Sequence, residues 1–351
     1  MRKLMLTAIT LLTLLGMHTI GHAQDISMRP ATNSELVTTK SNVGFSVKPK
    51  FEKHQADDKL AYWWLRVKPA EQIIAHVEII NGAKEHIYRI AANQAVCNRN
   101  LTVDYSKHVL TTDEINAASP VDFTKTVAFG TTHKSQVDIL VRRNTVADIP
   151  IVVDVPRDEF NGITVGGISV TQKVDAQQQT VKNVFNYTVA MVLQENNVKV
   201  KPDLKLAKII TKAENGDNLT KVQLINPTNA LIKNVQATGT IQDNKGKTIS
   251  ELKLASGTIT PQAKFALEFN YQTAKLPAGR YHLVLKLEDA DKQIWEFNKI
   301  FTIQDKKITE VNGDGQAGTV KRSAHLALPL IIGLLVVGAL LTGLGIRLKR
   351  K

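Results

Sequence analysis

The densest group of rings in the chain is Tyr62-Trp63-Trp64. On a strand, side-chain alternation divides it: Trp63 faces inward with Leu65 and Val67, while Tyr62 and Trp64 face out. Exposed rings stack on sugar faces, and an outward tryptophan in a chain with only 5% aromatics needs a reason. The competing reading is that a loop or a second domain covers it. Lysines form the other group: Lys199, Lys201, Lys205, Lys208 and Lys212 crowd one stretch. Alternation along Asp203–Thr211 puts Leu204, Leu206 and Lys208 on one face, and Lys205, Ala207 and Ile209 on the other. Singly these lysines keep a face soluble and discourage edge pairing; together they speed encounter with an acidic partner or an anionic polymer.

Catalysis finds no comparable support. Beyond the first 23 residues the histidines are His54, His76, His86, His108, His133, His282 and His325, and no two have metal-ligand spacing. There is no Gly-x-Ser-x-Gly, and an acid/base pair would have to converge from distant loops. A single cysteine, Cys97, leaves no internal disulfide, no cysteine zinc site and no redox pair. Gly166-Gly167 lies in a strand pattern, where glycines mark a bulge or a close backbone approach; a phosphate loop would need a helix to follow. Asn226-Pro227 reads as the turn ending a strand. Asn312–Gly318 lacks both the acidic first ligand and the bidentate twelfth of a calcium loop. The expectation is a binding protein without metal or cofactor, not an enzyme.

The elements that must position these residues are short and alternating. Trp63–Val67, Ile73–Ile79, Gln136–Val141, Ile149–Val155, Ile163–Val170 and Asn183–Leu193 form one set of strands. Asp203–Thr211, Leu219–Ile225, Ile232–Ile241, Phe265–Tyr271, Tyr281–Glu288 and Ile294–Ile303 form a second. Asn81-Gly82, Asn161-Gly162, Asn215-Gly216 and Asn244-Lys245-Gly246 supply turns, the first a hairpin signal. Only Asp113–Ala118 looks helical. Two sets of about seven strands predict two immunoglobulin-like β-sandwiches, joined near Glu195–Pro202.

The ends set the topology. Met1-Arg2-Lys3, an apolar run from Leu4 to Met17 and Gly21-His22-Ala23 read as a signal peptide. Leu326–Ile346 is 21 uncharged residues, about 31 Å as a helix, followed at once by Arg347, Lys349, Arg350 and Lys351. Those ends account for nearly half of the net charge of +13, while residues 24–197 balance at 19 basic and 19 acidic and residues 198–305 hold 16 against 11. Nucleic acid is therefore disfavoured as a partner.

Val67-Lys68-Pro69, Glu159-Phe160-Asn161-Gly162-Ile163 with Gly166-Gly167-Ile168, Val200-Lys201-Pro202-Asp203-Leu204, Asn226-Pro227 and the terminal apolar run with its basic tail follow one another in an order that resembles the WxL-interacting proteins of Gram-positive bacteria. The resemblance implies an N-terminal peptidoglycan-binding domain, a second domain for host matrix, and partnership with secreted WxL-domain proteins. It divides the domains nearer 170–180. Ala70 departs from it, since similar proteins place glycine after that Lys-Pro.

The expected organisation is a signal peptide at 1–23, an N-terminal tail at 24–40, a peptidoglycan-binding sandwich at 41–197 and a host- or partner-binding sandwich at 198–305. A stalk at 306–325, a transmembrane helix at 326–346 and a cytoplasmic tail at 347–351 complete it. Function would be non-catalytic attachment at the cell wall, with Tyr62, Trp64, Lys205 and Lys208 as contacts. A stand-alone host-matrix adhesin is the alternative, and a wall-modifying enzyme the third reading.

Overall fold

The computed structural model describes residues 25–40, 43–51, 53–82, 84–173, 184–214, 217–271, 276–304 and 309–312. The expected signal peptide, transmembrane helix and basic tail lie outside these residues. Among the described residues no helix is long and apolar enough to cross a membrane.

The chain is all-β. Its first half forms β1 (Ser27–Pro30), α1 (Asn33–Val37), β2 (Phe45–Lys50), β3 (Trp63–Arg66), β4 (Gln72–Asn81), β5 (His86–Gln94), β6 (Val96–Cys97), β7 (Val103–Asp104), α2 (Phe123–Thr126), β8 (Val127–Phe129), β9 (Gln136–Val141), β10 (Thr145–Asp154), β11 (Thr164–Gln172) and β12 (Asn186–Gln194). One sheet runs β1-β10-β4-β2 with β8 also on β10, and the other runs β3-β12-β11-β5-β9. Alternation explains the packing: Ile73, Ala75, Val77 and Ile79 of β4 face Tyr88, Ile90 and Ala92 of β5 and Ile168 and Val170 of β11 across one core. Pro150, which has no N–H for a ladder, falls between the end of β1 at Asp148 and the start of β8 at Ile151.

The second half forms β13 (Lys205–Glu214), β14 (Asp217–Ile225), β15 (Ile232–Lys233), β16 (Gln236–Gln242), β17 (Thr248–Leu254), β18 (Thr258–Ile259), β19 (Lys264–Asn270), β20 (Gly279–Glu288), β21 (Ile294–Ile303) and β22 (Thr309–Asn312). Sheets β19-β14-β13-β22 and β17-β16-β20-β21 enclose Val222, Leu224, Phe265 and Leu267 against Leu283, Leu285, Trp295 and Phe297.

The two sandwiches share a clasp. Residues 95–122 leave β5, reach the second sandwich around Cys97–Leu101 and again at Asp113–Asn116, and return to α2. Leu101 and Cys97 are buried in the second core, and the Leu101 carbonyl accepts the Thr258 N–H at 2.6 Å. Further along, Ile115 bridges Ala263, the Lys264 N–H reaches the Glu114 carbonyl at 3.1 Å, and the Asn116 side chain donates to Gln262 at 2.8 Å. This segment pairs with the start of β19, an edge strand whose backbone groups would otherwise invite another chain.

Several expectations change. Asp113–Ala118 is not a helix: it is a turn whose Ile115 takes a strand-like bridge, so the partner strand decides its backbone. Asn81-Gly82 does not close a hairpin, because β4 pairs with β2 and β10 while β5 pairs with β9 and β11. The chain crosses there between sheets. Residues 24–40 contain β1 on β10 and an α1 closed by a capping box, with the Thr32 N–H donating to Glu35 at 2.8 Å. Residues 306–325 contain β22, paired with β13. Ile232–Ile241 splits into β15 and β16 around Asn234, at φ 52. Asn215-Gly216 joins the paired β13 and β14 but lies outside the described residues. Ala70 sits at φ 58, a left-handed backbone that glycine tolerates and alanine strains.

Candidate functional site

β3 carries the ring cluster on the edge of its sheet, parallel to β12. Trp63 is fully buried and its Nε1–H donates to the Lys50 carbonyl at 3.0 Å. Tyr62 and Trp64 lie on the opposite face and are half-buried against Ala95, Val165 and Val192. The register explains this row, since Trp64 stands opposite Val192, Val192 opposite Val165, and the Ala95 N–H donates to the Val165 carbonyl. Val103 and Tyr105 of the clasp pack on the same row, so a loop covers part of each ring. Gln55 holds the strand, accepting the Trp64 N–H at 3.0 Å and donating to the Tyr62 carbonyl at 2.9 Å. The Trp64 Nε1–H donates to Gln194 at 2.7 Å, which fixes the ring. Burial, and then the charge of Asp57, raise the Tyr62 hydroxyl, while burial pushes Tyr105 up to about 12. Both phenols remain protonated and able to donate.

Gly166 and Gly167 explain why rings reach this sheet. A Cβ on Gly166 would lie 2.3 Å from the Phe123 ring on the core side, and one on Gly167 would lie 2.7 Å from the Tyr105 ring on the outer side. The register of β11 runs through both without a shift, so close approach, and not a bulge, accounts for them. Beneath Tyr105, Asn93 donates to its carbonyl at 2.7 Å and to Ser169 Oγ at 3.2 Å. Farther along the same face, Arg89 makes a two-pronged pair with Asp138 at 2.9 and 3.1 Å. With Lys173 it holds that carboxyl at about 2.

The lysine stretch departs from strict alternation. A bulge between Leu206 and Lys208 inserts one residue, so Leu206 and Ile209 share the buried face. Lys208 lies 3.6 Å from Asp113 of the clasp, while Lys205 is exposed. Asn226 is buried, donates to the Ala230 and Thr260 carbonyls at 2.9 Å each, and accepts the Thr228 N–H at 3.0 Å, pinning the turn at Pro227. The rings and the lysines therefore lie on different sandwiches. Tyr105, Gln55 and Gln194 join the ring site unannounced, because each comes from a segment whose composition reads as loop or strand end.

The WxL Interacting Protein peptidoglycan binding domain matches residues 45–172, and the WxL Interacting Protein host binding domain matches residues 176–313. Among solved structures the chain is similar to the E. coli chaperone DraB, at 13% identity and TM-score 0.27 over 68% of this chain and 92% of that one. It is also similar to the Pseudomonas aeruginosa CupB2 chaperone, at 12% and 0.26 over 68% and 97%. A third is the class 5 fimbriae chaperone CfaA, at 10% and 0.28 over 74% and 99%. No curated protein matches significantly. With one matched domain over most of the first sandwich and the other over the second, the chain belongs to the WxL Interacting Protein family.

Proposed function

We propose that this chain is a non-catalytic surface scaffold that grips peptidoglycan through its first sandwich and tethers WxL-domain proteins, and host matrix, through its second. One observation carries the reading: a peptidoglycan-binding and a host-binding domain follow one another in a single chain. In this reading residues 1–23 direct export, 326–346 anchor the chain in the membrane, and the basic tail stays inside. The exposed portions of Tyr62 and Trp64 offer ring faces to sugars, and Lys205 belongs to the surface that draws an anionic partner.

The test is sedimentation of three components. A WxL-domain protein mixed with purified peptidoglycan should pellet only when this chain is added. A WxL-domain protein that stays in solution while the chain pellets would overturn the tethering role. Binding of the chain to host matrix without any WxL protein, together with that result, would favour the stand-alone adhesin.

A further inference from the structure

Where α2 runs into β8 beside the end of β10 and β9 begins the edge of the other sheet, an open cleft of about 570 Å³ lies beside the clasp. Its polar walls come from His108, Lys125, His133, Lys134, Gln136 and Asp154. Lys134 is exposed and has no carboxylate partner among the described residues, whereas Lys125 is 3.0 Å from Asp122. Asp154 accepts the Gln72 amide through Oδ1 at 2.7 Å, which leaves its second oxygen for another donor. His108 Nδ1 lies 3.1 Å from both the Ala92 carbonyl and Asn93 Oδ1. Two oxygen neighbours assign the proton to that nitrogen and leave Nε2 as an acceptor in the neutral ring.

The cleft thus sets unpaired cationic character against a carboxylate, an imidazole acceptor and a side-chain amide. A neutral sugar chain can use the carboxylate, the imidazole and the amide, but it brings no counter-charge to Lys134. A short peptide with a free carboxylate, amide N–H groups and an amine matches each part. We infer that this cleft takes the peptide stem of the wall polymer, with Lys134 on its terminal carboxylate and Asp154 on its amine. The inference rests on the wall-binding reading and adds which portion of the polymer is recognised. Asn93 joins the two surfaces: its amide donates to the Tyr105 carbonyl beside the rings, and its oxygen holds His108 at the cleft.

Calorimetry of the purified full chain with an alanine-terminated stem tetrapeptide, carrying a free carboxylate and a lysine side chain, tests this. Lys134→Gln should weaken binding about tenfold, the worth of one charge-assisted hydrogen bond, and Lys134→Arg should retain most of it. Acetylating the peptide's lysine should weaken binding to the native chain but not to Asp154→Asn. Thermal melts of all three variants should match the native chain. Sedimentation with intact peptidoglycan and with peptide-free glycan strands runs in parallel. Equal pelleting with both, and no heat with the peptide, would overturn the cleft's role and leave wall binding standing. Failure to pellet with intact peptidoglycan would overturn wall binding itself.

Discussion

Gly166 and Gly167 are neighbours that answer to opposite sides of one strand, and their substitutions should differ for that reason. Phe123 is fully buried and its backbone N–H donates to Gln94 at 3.2 Å, so the ring 2.3 Å from a Gly166 Cβ has nowhere to go. Gly166→Ala should cost about 2–3 kcal/mol by overpacking. Tyr105 is only partly buried and its ring lies farther, 2.7 Å, from a Cβ on Gly167, so less overlap has to be relieved. Gly167→Ala should cost under about 1 kcal/mol, partly offset by the entropy glycine loses in a strand. Urea midpoints of both variants check the order; equal losses would mean that Phe123 yields as freely as Tyr105.

β12 is the element whose position matters most to how the chain is divided. The peptidoglycan-binding match ends at 172, yet β12 lies between β3 and β11 in the first sandwich. A chain ending at 175 loses a strand from within a sheet, leaving β3 without a ladder and uncovering the core beneath Met191 and Leu193. It should give no cooperative thermal transition and should aggregate, whereas one ending at 197 should melt cooperatively by circular dichroism. Matching melts for the two would show that β12 is dispensable. Strands such as β21, Ile294–Ile303, were legible in full because apolar alternation and flanking turns agree. β1 was not, since its four residues are all exposed and an edge strand held by backbone pairing leaves no apolar period. The Asn81-Gly82 signal reports a chain reversal but not which sheet receives the next strand. The inserted residue near Ala207 is equally silent, and it is what moved Lys208 off its expected face. Of the ring site, Trp63 and the facing of its neighbours could be read. Tyr105 could not, because its contact with Gly167 joins distant parts of the chain.

At the scale of the molecule, the clasp makes the second sandwich depend on residues of the first. Leu101 is 1% exposed, and its Cβ comes within 2.2 Å of where a Cβ on Gly257 would be. Leu101→Ala should cost about 2–4 kcal/mol. That loss should appear in the second sandwich, although the mutation lies within the peptidoglycan-binding match. Hydrogen exchange reads it directly: amides of β14, β16 and β20 should exchange faster, while those of β4 and β10 keep their protection. Unchanged exchange in the second sandwich would reduce the clasp to a passive contact.

Cys97 gives the clasp a built-in clock. It is the chain's sole thiol, buried in the second core, with its S–H toward the Thr258 carbonyl at 3.6 Å, and burial holds its pKa far above the ordinary range. Thiolate reactivity is therefore suppressed both by access and by protonation while the clasp is seated. An alkylating reagent marks only molecules in which it has lifted, so the native protein records how often its two halves let go of each other without any engineered label.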